Sequence, residues 1–136
     1  MPIRSYRDLV VWQSGMQLAE GVYRASSQFP RSELFGLRAQ IQRCAVSIPS
    51  NIAEGHARES TREFLRFLSI ATGSAAELQT QIVLANRLGY IDTAATEGLL
   101  DQASQVMKML HALRNSLRKR LQTSSRESSN CLFPNP

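Results

Sequence analysis

The chain has 136 residues, 43% of them hydrophobic, which suits one domain with a continuous core and excludes a disordered polymer. Sixteen Lys and Arg face eleven Asp and Glu, giving a net charge of +5 and a pI near 9.9, a balance that favours an anionic partner. No apolar run is long enough to span a membrane, the first residues lack an apolar signal region, and Cys44 and Cys131 stand in unrelated contexts, so the expectation is a cytoplasmic protein without a disulfide framework.

Four segments carry helical periodicity, and none alternates as a strand would. The first covers 8–28, with Leu9, Trp12, Met16, Ala19, Val22 and Tyr23 on one stripe, Asp8 as its cap and Phe29-Pro30 as its stop. The second covers 33–54. Ser32 is its predicted N-cap, and Leu34, Leu37, Ile41, Ala45, Ile48 and Ile52 form its stripe. Pro49 falls inside that stripe and should kink the helix, with Asn51 placed to bond the carbonyl it frees; Gly55 reads as the residue just past the end. The third covers 61–88. Ser60 and Glu63 form a capping box, and the stripe runs from Phe64 to Leu88. Gly73 in its middle reads as a site of close helix approach, and Gly89 ends it. The fourth covers 93–122, capped by Asp92 or Thr93, with Leu99, Ala103, Val106, Leu110, Leu113, Leu117 and Leu121 facing inward. Short connections make successive helices antiparallel neighbours, so the expected fold is an all-α, up-down-up-down four-helix bundle over 1–122. Residues 123–136 are rich in Ser, Asn and Pro and read as a disordered tail.

Catalytic chemistry finds little footing. The two histidines, His56 and His111, belong to no metal-binding pattern; His56 reads as a solvated loop residue. No Gly-rich phosphate loop and no nucleophile elbow occur. The expectation is a protein without enzyme activity, cofactor or metal. Trp12, Met16 and Tyr23 lie on the apolar stripe and read as core.

The charge is uneven and dominated by arginine: 14 of the 16 basic residues are Arg, and residues 108–136 alone carry +5. No acidic residue separates Asp101 from Glu127, while Lys108, Arg114, Arg118, Lys119 and Arg120 fall between them. Arginine favours bidentate phosphate contact. Arg114, Arg118, Lys119 and Arg120 are therefore the first nucleic-acid-binding candidates, with Arg38, Arg43 and Arg58 second. A separate polar row, Gln40, Arg43, Ser47, Asn51 and Glu54, flanks the core stripe of the second helix at steps of three and four. It reads either as a solvated shoulder or as a subunit interface. Folding the second and third helices about position 57 would set residue 40 near residue 74 and Glu77 within reach of Arg38 or Arg43.

Several stretches resemble one family. They include Tyr6-Arg7-Asp8-Leu9-Val10-Val11-Trp12-Gln13, then Glu33-Leu34-Phe35-Gly36-Leu37-Arg38-Ala39-Gln40-Ile41, and Ser47-Ile48-Pro49-Ser50-Asn51-Ile52-Ala53-Glu54-Gly55 with Arg58. Phe64 to Leu78 and Leu88-Gly89-Tyr90 complete the set. Together they resemble the four helix bundle protein family encoded in intervening sequences of large-subunit ribosomal RNA genes. The resemblance spans about residues 6–115 and implies a helical bundle assembled as a homopentamer, with no defined activity. The implied fold is also similar to that of the accessory protein of diversity-generating retroelements, a basic pentamer that works with a reverse transcriptase and binds nucleic acid. The resulting expectation is a homopentameric scaffold that binds RNA or DNA through Arg-rich surfaces. The alternative is an accessory module that docks a partner enzyme such as a reverse transcriptase without touching nucleic acid.

Overall fold

The computed structural model describes residues 5–132. Four helices carry the chain: α1 (Val10–Ser26), α2 (Leu37–Ala57), α3 (Thr61–Arg87) and α4 (Thr93–Leu132). Short 3-10 turns at Tyr6–Asp8 and Arg31–Glu33 precede α1 and α2. Among the described residues there is no strand.

Local chemistry sets the helix ends, in several places differently from the expectation. Asp8 does not cap α1; it closes a capping box with Ser5 around the preceding turn, its carboxylate accepting from the Ser5 amide at 3.2 Å. Ser32 does not cap α2 either. The chain first makes its 3-10 turn, and Glu33 then reaches forward so that its Oε2 accepts from the Leu37 amide at 2.7 Å. Ser60 caps α3 as expected, accepting from the Glu63 amide at 3.3 Å, but the Glu63 side chain turns to Arg66 instead of back to the cap. Asp92 holds the start of α4 through the Ala95 amide at 2.7 Å. Gly89, at φ +79°, supplies the left-handed residue that turns the chain out of α3.

Successive helices run antiparallel. Ser26 near the end of α1 receives a bond from Gln42 near the start of α2, whereas Gly15 in the first half of α1 lies against Pro49 in the second half of α2. Gly55 meets Phe64 and Phe67 of α3, and farther from that turn the Cys44 thiol donates to the Ser74 carbonyl at 3.1 Å. Gln79 of α3 bonds Ser104, while Ser69 and Thr72, nearer its start, bond Arg114 of α4. Each helix packs on two neighbours and none on its diagonal partner, so the four surround one core. The α2–α3 register lies about one turn from that expected, because the reversal centres near residue 59.

In α2, α3 and α4 most core residues follow the predicted stripes: Ile41, Ala45, Ile48, Ile52, Leu68, Ala71, Ala75, Leu78, Ile82, Ala103, Val106 and Leu110 are all fully buried, while Leu34 of the predicted second stripe is exposed. In α1 Val22 is buried as expected, but the fully buried Leu18 lies off the predicted stripe. Each large aliphatic among them contributes about 1.5–3 kcal/mol on leaving water. Pro49 sits within this stripe without ending α2. The Ser47 hydroxyl donates to the Cys44 carbonyl at 2.6 Å and the Asn51 amide to the Ser47 carbonyl at 2.7 Å. Asn51 thus bonds the Ser47 carbonyl, not the Ala45 carbonyl that Pro49 leaves without its usual donor.

The two glycines exchange their expected roles. Gly55 lies inside α2, where a Cβ would come within 2.6 Å of Phe67 Cβ. Gly73 faces open space, with nothing within 4 Å of the corresponding position. His56 belongs to the last turn of α2, its ring edge-on to Phe64 at 5.6 Å, and is not a loop residue.

Helix α4 also departs from expectation. It has 40 residues, about 60 Å, against 27 residues and about 40 Å for α3. Residues 123–132 are helical rather than a disordered tail; the remainder of that expectation, 133–136, lies outside the described residues. Since Ser69 already lies beside Arg114, the start of α3 falls near residue 122 of α4. Beyond that point α4 projects past the bundle.

Candidate nucleic-acid interface at the basic end of the bundle

The antiparallel topology gathers cations that are far apart in sequence. The end of α2, the start of α3 and residues 114–126 of α4 lie at one end, together with the turn before α1. Arg58, Arg62, Arg66, Arg114, Arg118, Lys119, Arg120 and Arg126 therefore lie toward the same end of the bundle, as does Arg7. Against these stand Asp8, Glu54, Glu59, Glu63 and Glu127.

Some of these charges are already engaged. Arg58 pairs with Glu54 at 3.0 Å and Arg66 with Glu63 at 3.1 Å, both within one helix and on the surface. Such exposed pairs contribute about 0–1 kcal/mol and leave the guanidinium open to a competing phosphate. The same two arginines lie over the Phe67 ring, at 5.4 Å and 4.7 Å from its centroid, and cover it from solvent.

Arg114, one of the four first phosphate candidates, lays its guanidinium across α3, donating to Ser69 Oγ at 3.1 Å and Thr72 Oγ1 at 3.4 Å. Its Nε is buried without a partner. The residue joins α4 to α3, and its half-buried side chain is a poor free cation. Arg118 makes one long contact with Asn115 at 3.5 Å, and Lys119 and Arg120 are exposed. Arg38 and Arg43 sit in the first half of α2, away from this end, so they do not join the cluster. Arg62, Arg66 and Arg126 do join it and were missed. The signal for Arg62 was present: an antiparallel third helix must begin where the fourth runs out.

The polar row on α2 is dispersed. Ser47 and Asn51 are half-buried and turned onto their own backbone, Gln40 and Arg43 are exposed, and Glu54 is held by Arg58. Glu77 meets neither Arg38 nor Arg43. It accepts a long bond from Gln81 at 3.5 Å and lies beside Cys44. Burial, aided by the Glu77 charge, pushes the Cys44 thiol up to about 12.

Apolar surface is exposed elsewhere. Tyr6, Trp12, Met16, Tyr23, Val46 and Pro49 line a groove of about 450 Å³ between α1 and α2. Trp12 is half-buried there, edge-on to Tyr6 at 5.4 Å, while Met16 and Tyr23 are exposed rather than core. Their stripe lies one step too far round α1 to face inward. Phe35, in the turn before α2, is 92% exposed, and Ile70 and Leu84 on α3 and Leu88 just past its end are exposed. Among the described residues, no group of His, Cys, Asp and Glu is placed to hold a metal, and no helix is long and apolar enough to cross a membrane.

A crystal structure at 1.70 Å of a protein of unknown function from the S23 ribosomal protein family of Bacteroides thetaiotaomicron VPI-5482 is similar in fold. Its TM-score is 0.72 at 24% identity, over 78% of this chain and 96% of that one. No curated protein matches the chain. The family model described as 23S rRNA-intervening sequence protein matches residues 7–112, which takes in all of the first three helices and half of α4, and the chain belongs to that family.

Proposed function

We propose that this protein is a non-enzymatic, homo-oligomeric helical scaffold whose basic end binds the phosphate backbone of RNA or DNA. The observation that carries the reading is the convergence of Arg58, Arg62, Arg66, Arg118, Lys119 and Arg120 at one end of the bundle. Cations dispersed over a surface serve solubility; cations collected by the fold create a local field that attracts polyanions. The exposed groove on α1 and α2, with Phe35, supports self-association, because apolar surface of this kind marks contact sites. In a homopentamer, the proposed state, +5 per chain becomes about +25 per particle, and affinity gains steeply at low salt.

The test replaces Arg118, Lys119 and Arg120 together with Ser and follows binding of labelled nucleic acid by anisotropy across a salt series. Each lost phosphate contact should flatten the slope of log affinity against log salt by about 0.7–0.9. An unchanged affinity and slope would refute the basic end as the binding surface. Light scattering that finds a monomer at micromolar concentration would refute the assembly. The groove also favours a second reading, an accessory module docking a partner enzyme. Absence of any nucleic-acid binding at low salt would select it.

A further inference from the structure

From Gln122 to Glu127 α4 is exposed at every position, whereas Leu121 is half-buried and Leu117 is the last buried residue described in the helix. Those six residues are Gln, Thr, Ser, Ser, Arg and Glu, with no apolar side chain among them. These six positions offer an apolar protein surface nothing to bury. Consecutive helical residues step round the axis by about 100°, so Arg118, Lys119 and Arg120 put positive charge on three sides of the helix where it leaves the bundle. Arg126 continues that charge outward, and Arg62 of α3 stands alongside.

Among the described residues the same end has no exposed aromatic ring. Tyr6, Trp12 and Phe64 are half-buried, and Phe67 is buried beneath two guanidinium groups. Single-stranded nucleic acid is gripped by stacking its bases on exposed rings, and the described residues form no such platform here. A bare α-helix is about 10–12 Å across with its side chains. The major groove of B-form DNA is about 12 Å wide and admits one. The major groove of A-form RNA is narrow and deep and does not.

We infer that the projecting end of α4 enters the major groove of duplex DNA. Arg118, Lys119, Arg120 and Arg126 meet the flanking phosphates, and Arg62 meets the backbone beside the bundle. Of the hydroxyls at 123–125, Thr123 donates to the Lys119 carbonyl at 3.0 Å, and Ser124 or Ser125 is left to reach base edges or groove waters, which gives weak sequence preference. The inference rests on the polyanion-binding reading above and narrows its partner to one nucleic-acid form.

The experiment compares three labelled probes of one sequence, about 20 base pairs or nucleotides long: duplex DNA, single-stranded DNA and duplex RNA. Anisotropy is read at low salt for the full chain, for a chain ending at Leu121, and for full-length Arg126→Glu. The truncated chain keeps every described buried residue of α4, and circular dichroism checks that it and the Arg126 variant stay folded. Duplex DNA should bind the full chain about tenfold more tightly than either other probe. That preference should vanish on truncation and fall several-fold in Arg126→Glu. Equal binding of all three probes, or a duplex preference that survives both variants, overturns the inference and leaves the polyanion reading standing. Binding of none of the three overturns both.

Discussion

Gly55 and Gly73 invite the same substitution with opposite outcomes. At Gly55 an alanine Cβ would lie 2.6 Å from Phe67 Cβ, 3.1 Å from Phe64 Cδ1 and 3.4 Å from the Phe64 carbonyl. The first of these atoms is fixed to the α3 backbone, so the clash is relieved only by moving α2 from α3 next to their turn. Overpacking of this kind costs about 1–3 kcal/mol, set against about 1 kcal/mol of helix propensity gained. The cost prevails because the separation is far below van der Waals contact, and Gly55→Ala should lower stability by about 1–2 kcal/mol. Gly73→Ala meets nothing within 4 Å and keeps only the propensity gain, about 0.5–1 kcal/mol. For a domain of this size 1 kcal/mol moves the midpoint by about 3–5 °C. Thermal melts followed by circular dichroism should therefore shift down for Gly55→Ala and up for Gly73→Ala. A neutral Gly55→Ala would refute the claim that this glycine sets the α2–α3 spacing. A destabilising Gly73→Ala would show that another molecule approaches the outer face of α3.

Cys44 gives a pH signature. Its thiol is pushed from the ordinary 9.0 up to about 12, first by burial and then by Glu77. Between these values the unfolded chain releases a proton that the folded chain retains, so stability declines as pH rises from about 9 to about 12. Urea titrations of wild type and Cys44→Ala across that window should converge, with a shallower alkaline decline in the variant; equal slopes would refute the assignment. Arg114 gives a structural signature. Arg114→Ala loses two interhelical bonds and should cost about 1–2 kcal/mol in urea unfolding. Arg114→Met keeps much of the apolar stem but loses the same two bonds, so it should cost nearly as much; a loss less than half that of alanine would show that packing rather than bonding is at stake.

The bundle was legible because burial leaves a period. Ile41, Ala45, Ile48 and Ile52, or Leu68, Ala71, Ala75 and Leu78, can face one core only as helices. Helix ends were less legible, because several donors compete within a turn. Ser32 is a good cap in isolation, but Glu33 reaches the Leu37 amide from a turn the sequence does not advertise. Glycine is silent about its reason: Gly55 and Gly73 look alike until the neighbouring helix is in place. Stripe membership also failed at its margins. Met16 and Tyr23 keep the spacing of Trp12 yet lie beyond the face that meets α2 and α4. At the basic end, residues 118–120 were readable from charge alone. Arg62 and Arg66 needed the topology, and Arg114 needed the side-chain geometry that ties it to Ser69 and Thr72.

The overhang of α4 has a consequence for how order is distributed along the chain. Helix nucleation is the costly step, and residues 93–121 have already completed it against the core. Residues from Gln122 onward only propagate, and Thr123, Ser124 and Ser125 are among the weaker propagators. Their helicity is borrowed from the bundle and should decay residue by residue from Leu121 outward, independently of global unfolding. Amide hydrogens along this stretch would exchange on a graded scale while those at Ala103 and Leu110 wait for the bundle to open. The end of α4 is thus a local helix–coil equilibrium attached to a cooperative domain, and any partner that holds it would steepen that gradient into a plateau.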